Sequence, residues 1–206
     1  MTDDIATIQI DPVPAETIAV PIIGTSPLIC NRFSEKAKRK MLDAQQGRKA
    51  PKQVRDPESE YEASFYRLKD GSPGFPVLAF KDATVGAARF YGKDVTMTAL
   101  RQCLFLRGEV GQDGQSLARV TGEPRMREDV VRLNRAGTDL RYRAEFPEWG
   151  TVLEVTYVTS ALSRASVLSL IDAGGMGVGI GEWRPEKNGD FGTFRVDPTR
   201  DVEVIS

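Results

Sequence analysis

The clearest pattern in the chain is alternation in its C-terminal half. TDLRYRAEF (138–146) and GTVLEVTYV (150–158) switch between apolar and polar side chains, as strands with one buried face do. The PEW turn between them predicts a hairpin. DVVRLN (129–134) reads as extended. SRASVLSLIDAGG (163–175) changes to helical spacing, with Ser163 as N-cap and Gly174 or Gly175 as C-cap. A glycine-rich stretch, GGMGVGIGEWRPEKNGD (174–190), follows, and FGTFRV (191–196) predicts a last strand.

The front half is less regular. IATIQI (5–10) alternates weakly and is broken by the prolines of DPVPAE. TIAVPIIG (17–24) is a β-branched run that predicts a buried strand, with Pro21 pointing to an edge or a bulge. SEKAKRKMLDAQQ (34–46) predicts a helix capped by Ser34, with a thin apolar stripe of Ala37, Met41 and Leu42. GRKAPKQVRDPE (47–58) has no period and predicts a mobile loop. ESEYEASFYRL (58–68) reads as a helix, FPVLAF (75–80) as a strand, and KDATVGAARFYG (81–92) as a helix ended by Gly92. TALRQCLFLRGEV (98–110) starts helical or extended and finishes as a strand. The GQDGQS turn then closes a hairpin with LARVTG.

Strand, strand, helix, glycine loop, strand is the back half of a βαββαβ unit. The front half is then 17–24 plus one of the helices that follow. The expectation is an α+β fold: a ferredoxin-like antiparallel sheet with helices on one face. It is one domain over 1–206, with an N-terminal arm at 1–16 and a large insertion at 47–128 that includes the mobile loop.

Composition narrows the chemistry. The chain has 206 residues and no histidine, which removes histidine bases, triads and metal ligands together. Cys30 and Cys103 sit in apolar settings without metal spacing and read as buried thiols of a reducing compartment. No cofactor is implied. No apolar run reaches 18 residues and the acidic start, MTDDIATIQI, is no secretory signal, so no membrane partner is expected and the cytoplasm is the expected location.

Charge adds a direction. The whole chain carries −1, yet 32–55 holds nine basic residues against Glu35 and Asp43, a local +7. These are Arg32, Lys36, Lys38, Arg39, Lys40, Arg48, Lys49, Lys52 and Arg55. Such a patch is the footprint of a polyanion-binding surface. A second basic set, Arg125, Arg127, Arg132, Arg135, Arg141 and Arg143, alternates along predicted strands. It fits a ligand surface or a solvated sheet face with cross-strand ion pairs.

Gly175, Gly177, Gly179 and Gly181 alternate, and Gly189 and Gly192 follow. Glycines this dense let a backbone approach a phosphate, or serve a bulge and close packing. No GK[ST] follows, so the stretch is not a P-loop, and the helix-before-strand order excludes a dinucleotide fingerprint. VGIGEWRPEKNGDFGTFRV resembles the C-terminal glycine-rich loop of the RAMP superfamily, the RRM-like domains of CRISPR-associated Cas5, Cas6 and Cas7 proteins. The matching positions are Gly179, Gly181, Arg184, Lys187, Gly189, Gly192, Phe194 and Val196. TSPLICNRFSEKAKRKML is similar to the start of a small family of phage and prophage proteins.

The resemblance implies single-stranded RNA or DNA as partner, RNA first, and a homo-oligomer or multi-subunit nucleoprotein complex of a phage or mobile element. Arg125, Arg127 and the loop residues Gly179, Gly181, Trp183, Arg184 and Lys187 join the 32–52 basic residues as candidate contacts. Trp183 is the aromatic singled out to stack on a base, ahead of Tyr61, Tyr66, Phe90, Tyr91 and Trp149. Without histidine a Cas6-like nuclease lacks its usual proton carrier, and no catalytic residue emerges. Asp56, Glu58, Glu60 and Glu62 cluster, but on a charged loop where solvation accounts for them. Two alternatives stay open: an assembly subunit with no nucleic-acid role, and a metal-independent endoribonuclease.

Overall fold

The computed structural model describes residues 9–32, 42–43, 45–47, 55–93, 95–133 and 137–206. Most of the expected helix at 34–46 and of the loop at 47–58 lies outside these residues, as does Arg135.

β1 (Ala15–Gly24) is the spine of the main sheet. It pairs antiparallel along almost its full length with β10 (Gly150–Val158). On its other side it meets β11 (Phe194–Val196) and β12 (Glu203–Val204), a strand the sequence pattern did not show. β5 (Leu104–Arg107) closes the far edge against β10, giving the order β11-β1-β10-β5. Two helices cover one face, α2 (Val77–Gly86) and α4 (Arg164–Gly177). Between β1 and α2 the chain adds β2 (Leu28–Ile29), α1 (Pro57–Ala63), β3 (Tyr66–Arg67) and β4 (Pro73–Pro76). α3 (Met97–Cys103) precedes β5, and β6 (Glu109–Val110), β7 (Ser116–Arg119), β8 (Arg125–Leu133) and β9 (Gly137–Phe146) follow it. They build two smaller antiparallel sheets, β2-β9-β8 and β3-β4-β7-β6.

Alternation sets the core. Ile18, Val20 and Ile22 of β1 and Leu153, Val155 and Tyr157 of β10 are buried toward Phe80 and Ala83 of α2 and Val167 and Ile171 of α4. The helices pack closely because Gly174 has no side chain: a Cβ there would stand 2.5 Å from the Ala83 carbonyl oxygen. One on Gly175 would run into the Phe194 carbonyl. These glycines, expected as a C-cap, lie inside α4, which ends at Gly177 with Val178 as its cap; packing rather than termination holds them.

Three further expectations change. β9 and β10 do not form a hairpin: β9 pairs with β8 and β2, while β10 pairs with β1 and β5. Alternation identifies strands but not partners, and Trp149 in the connecting turn is buried, its indole donating to the Ser26 carbonyl. FPVLAF is split: Phe75 and Pro76 end β4, and α2 begins at Val77. α2 runs on only to Gly86, and a 3-10 turn carries the chain from Ala87 to Phe90. The segment 47–128, expected as an insertion, supplies both α2 and β5 to the main layer.

One ion pair fastens the N-terminus of α4 to the sheet. Arg164 Nη2 and Nε donate to Glu16 at 2.7 and 3.1 Å, and the Tyr157 hydroxyl donates to the same carboxylate. These bonds, the Arg164 bond foremost, hold the Glu16 carboxyl below its usual 4.5. A depressed folded pKa stabilises the fold above the unfolded value, and that contribution is lost as pH falls through the folded one. Glu16→Gln should therefore melt earlier than wild type at about pH 7, with the gap closing toward about pH 3. A gap that stays constant across a pH series of thermal melts contradicts the role of the carboxylate charge.

Candidate nucleic-acid interface

The chain between α4 and β11 folds back on itself. Ile180 N–H donates to the Gly192 carbonyl at 2.9 Å, Gly192 N–H to Pro27 at 2.8 Å and Glu182 N–H to Ile29 at 3.1 Å. The loop is thus sewn to β2 and to its own returning limb. Gly181 shows why glycine is required: its φ is +77°, and a Cβ would stand 2.6 Å from the Ile29 carbonyl oxygen. Gly179, at φ +68°, sits equally close to Pro185. What these two glycines approach is the chain's own backbone and side chains.

Trp183 adopts φ +51°, uncommon for a bulky residue, and its ring is covered by arginines. Arg143 lies 4.7 Å from the ring centroid and Arg127 5.3 Å, while Phe191 meets it at 5.9 Å. Arg127 also lies over Phe191. The half-buried indole is therefore engaged by protein cations.

Those arginines belong to the β8–β9 hairpin, where Arg127 and Arg143 stand directly opposite each other. Two like charges so placed would repel. Asp129 resolves the conflict: one oxygen accepts from Arg127 Nε at 2.8 Å and the other from Arg143 Nη2 at 2.7 Å. Glu145 links Arg127 to Arg125 in the same way, at 2.8 and 2.6 Å. Glu182 faces Arg143 Nη1 at 3.3 Å and accepts from Asn31, completing a chain of alternating charges into the glycine loop. Arg143, Asp129 and Glu145 are 2, 7 and 2% exposed. Burial alone pushes the Glu145 carboxyl up, but its bonds to Arg125 and Arg127 prevail and leave it below the usual range. Arg125, Arg127 and Arg143 of the alternating set are thus held in ion pairs across the hairpin, and Arg143 is internal.

The other candidates divide. Arg32 donates to Asp113 at 2.8 Å, and Arg184 to Glu186 and to the Gly181 carbonyl. Lys187 is exposed at the end of a 3-10 turn. Lys36, Lys38, Arg39, Lys40, Arg48, Lys49 and Lys52 lie outside the described residues. Glu60 and Glu62 pair with Arg55 and Arg67, and among the described residues no three acidic or cysteine side chains converge as metal ligands. Among the described residues no helix is long and apolar enough to cross a membrane.

Two concavities carry mixed or acidic charge. A groove of about 770 Å³ crosses the helix-free face of the main sheet, with Arg107, Arg119 and Arg200 against Glu109, Glu148, Glu154 and Asp197. One of about 260 Å³ beside the glycine loop has Asp82, Glu182 and Glu186 against Arg184. Neither is a footprint for a polyanion.

No protein-family model matches the chain. No curated protein matches it by sequence. Among solved structures, the crystal structure of Cmr6 from Pyrococcus furiosus is similar over 89% of this chain and 98% of that one, at 10% identity and a TM-score of 0.46. A likeness this distant carries nothing about function.

Of the candidate residues, Arg125, Arg127, Gly179, Gly181, Trp183 and Arg184 come together around the loop, and all are engaged by the protein itself. The alternation of opposite charges along 125–129 and 139–145 was the signal for this network. Asp129→Asn should cost about 3–5 kcal/mol, because it removes the closer and more buried of Arg143's two carboxylate partners. Arg125→Ala, whose side chain is 65% exposed, should cost under about 1 kcal/mol. Urea unfolding of both variants checks this, and equal small losses would contradict an internal, interdependent network.

Proposed function

We propose that the chain is a non-catalytic single-stranded nucleic-acid-binding protein, with RNA the favoured strand, acting as a subunit of a nucleoprotein assembly. The observation that carries this is the charge of 36–52: seven basic residues against Asp43 alone. Elsewhere most of the described arginines are held in ion pairs, and this run is the densest net positive charge in the sequence. A run of this kind binds phosphates by displacing their counterions.

The topology supports the reading without carrying it. β1, α2, β5, β10, α4 and β11 follow one another as βαββαβ, and the first strand lies inside the sheet between the third and fourth. We read this core as ferredoxin-like, the class that the glycine-loop resemblance implies. The glycine loop then sits in the corresponding slot, between the second helix and the fourth strand.

The assembly role has its own support. Val130 and Leu140 stand opposite each other on one face of the β8–β9 hairpin and are 67 and 36% exposed. They suit contact with another protein subunit.

Fluorescence anisotropy with a labelled mixed-sequence 12-mer of ssRNA, titrated at several salt concentrations, tests the binding role. Affinity should fall steeply with salt. Changing Lys38, Arg39 and Lys40 together to Ala should flatten the logarithmic salt slope by about 2, at about 0.7 per lost phosphate contact. Undetectable binding of ssRNA and ssDNA at low salt, or an unchanged slope in the triple variant, would contradict it.

A further inference from the structure

With the Trp183 ring covered by arginines, a base must stack elsewhere. The described surface offers one place where exposed aromatic rings, a rigid support and positive charge coincide. It is the 3-10 turn after α2 and its contact with the end of α4. Phe90 is 54% exposed and Tyr91 40%. Neither is loose. The Phe90 ring rests on Gly177, where a Cβ would overlap its ring atoms, so the absent side chain makes the seat. The Tyr91 hydroxyl donates to the Ser169 carbonyl of α4 at 3.2 Å. Met176, 67% exposed, extends the apolar surface along α4.

Charge distinguishes this patch from the other exposed apolar positions. Arg89 precedes Phe90, with its side chain 58% exposed, and Lys93 follows three residues later, also exposed. The loop's 3-10 turn approaches from the side: Glu186 reaches Arg89 only at 3.9 Å, and exposed Lys187 comes next. Along the chain Arg89 and Lys93 flank the two aromatic residues, and Lys187 follows Glu186 on the neighbouring turn. Both concavities, by contrast, hold at least as many acids as bases.

We propose that Phe90 and Tyr91 form a base-stacking platform for single-stranded nucleic acid, with Arg89, Lys93 and Lys187 contacting the flanking phosphates. The proposal rests on the nucleic-acid-binding reading above and places its base contact. Every base has a π-face, so the platform is tolerant of sequence, while the charges hold the backbone. Gly177 is then a functional glycine at one remove: it leaves room for the outer edge of the Phe90 ring.

The test uses the full chain and a labelled ssRNA 12-mer, beside the same strand with abasic sites at its central positions. Phe90→Ala should weaken binding of the intact strand about 5- to 150-fold and leave the salt slope unchanged. Against the abasic strand wild type and Phe90→Ala should bind alike, because no base remains to stack. Phe90→Trp should retain affinity and show indole fluorescence quenched by the intact strand. A wild type that binds while Phe90→Ala binds equally well overturns the platform and leaves the nucleic-acid reading standing. A wild type that binds no strand overturns both. If Phe90→Ala instead lowers the particle mass in light scattering with RNA affinity unchanged, the patch is a protein interface and the proposal is wrong.

Discussion

The burial of the Arg143 guanidinium organises the second half of this molecule. An always-charged group that is 2% exposed must be compensated on every accessible side. Asp129 meets it along the hairpin, Glu182 meets it from the glycine loop, and the Trp183 ring covers its face. These contacts come from two parts of the chain, the hairpin and the glycine loop. The position of one arginine therefore fixes the hairpin and the loop relative to each other. Its Nε finds no hydrogen-bond partner in the structure, so the ring beneath it bears part of the compensation.

The constraint explains a loop that would otherwise look strained. Trp183 holds a left-handed backbone, and the glycines around it admit carbonyl oxygens where a side chain would clash. Stacking on two arginines offsets that cost. The loop's aromatic is then an internal fastening, and the Phe90 ring, set on Gly177, is left facing outward. Glycine density has two results here: closure of the loop on itself, and room for the edge of an exposed ring.

Much of this was legible in the sequence. Period-two alternation placed β9 and β10, a β-branched run placed β1 within a residue or two, and the Ser163 cap placed α4, because burial and capping are written into the local sequence. Partners were not legible: β9 alternates equally well for either sheet, and the long-range pairing of β10 with β1 has no local signature. FPVLAF misled because a short apolar run is compatible with either element, and Pro76 turned out to precede a helix. At the site, the residues around the glycine loop were found, but their roles depended on distances. That Arg127 and Arg143 would stand opposite each other over Trp183 follows only from the register of the β8–β9 hairpin and from the glycine loop folding back beside it. The basic run at 36–52 is legible as charge alone.

The arginine network pre-builds the glycine loop, so no ligand is needed to order it. Hydrogen exchange of the free protein tests this at the amides of Ile180, Glu182 and Gly192, which donate to Gly192, Ile29 and Pro27. These amides should exchange within about tenfold of the rates in the centre of β1, since their opening requires the hairpin and loop to part. Exchange about a thousandfold faster than β1, as in an open surface loop, would contradict the account.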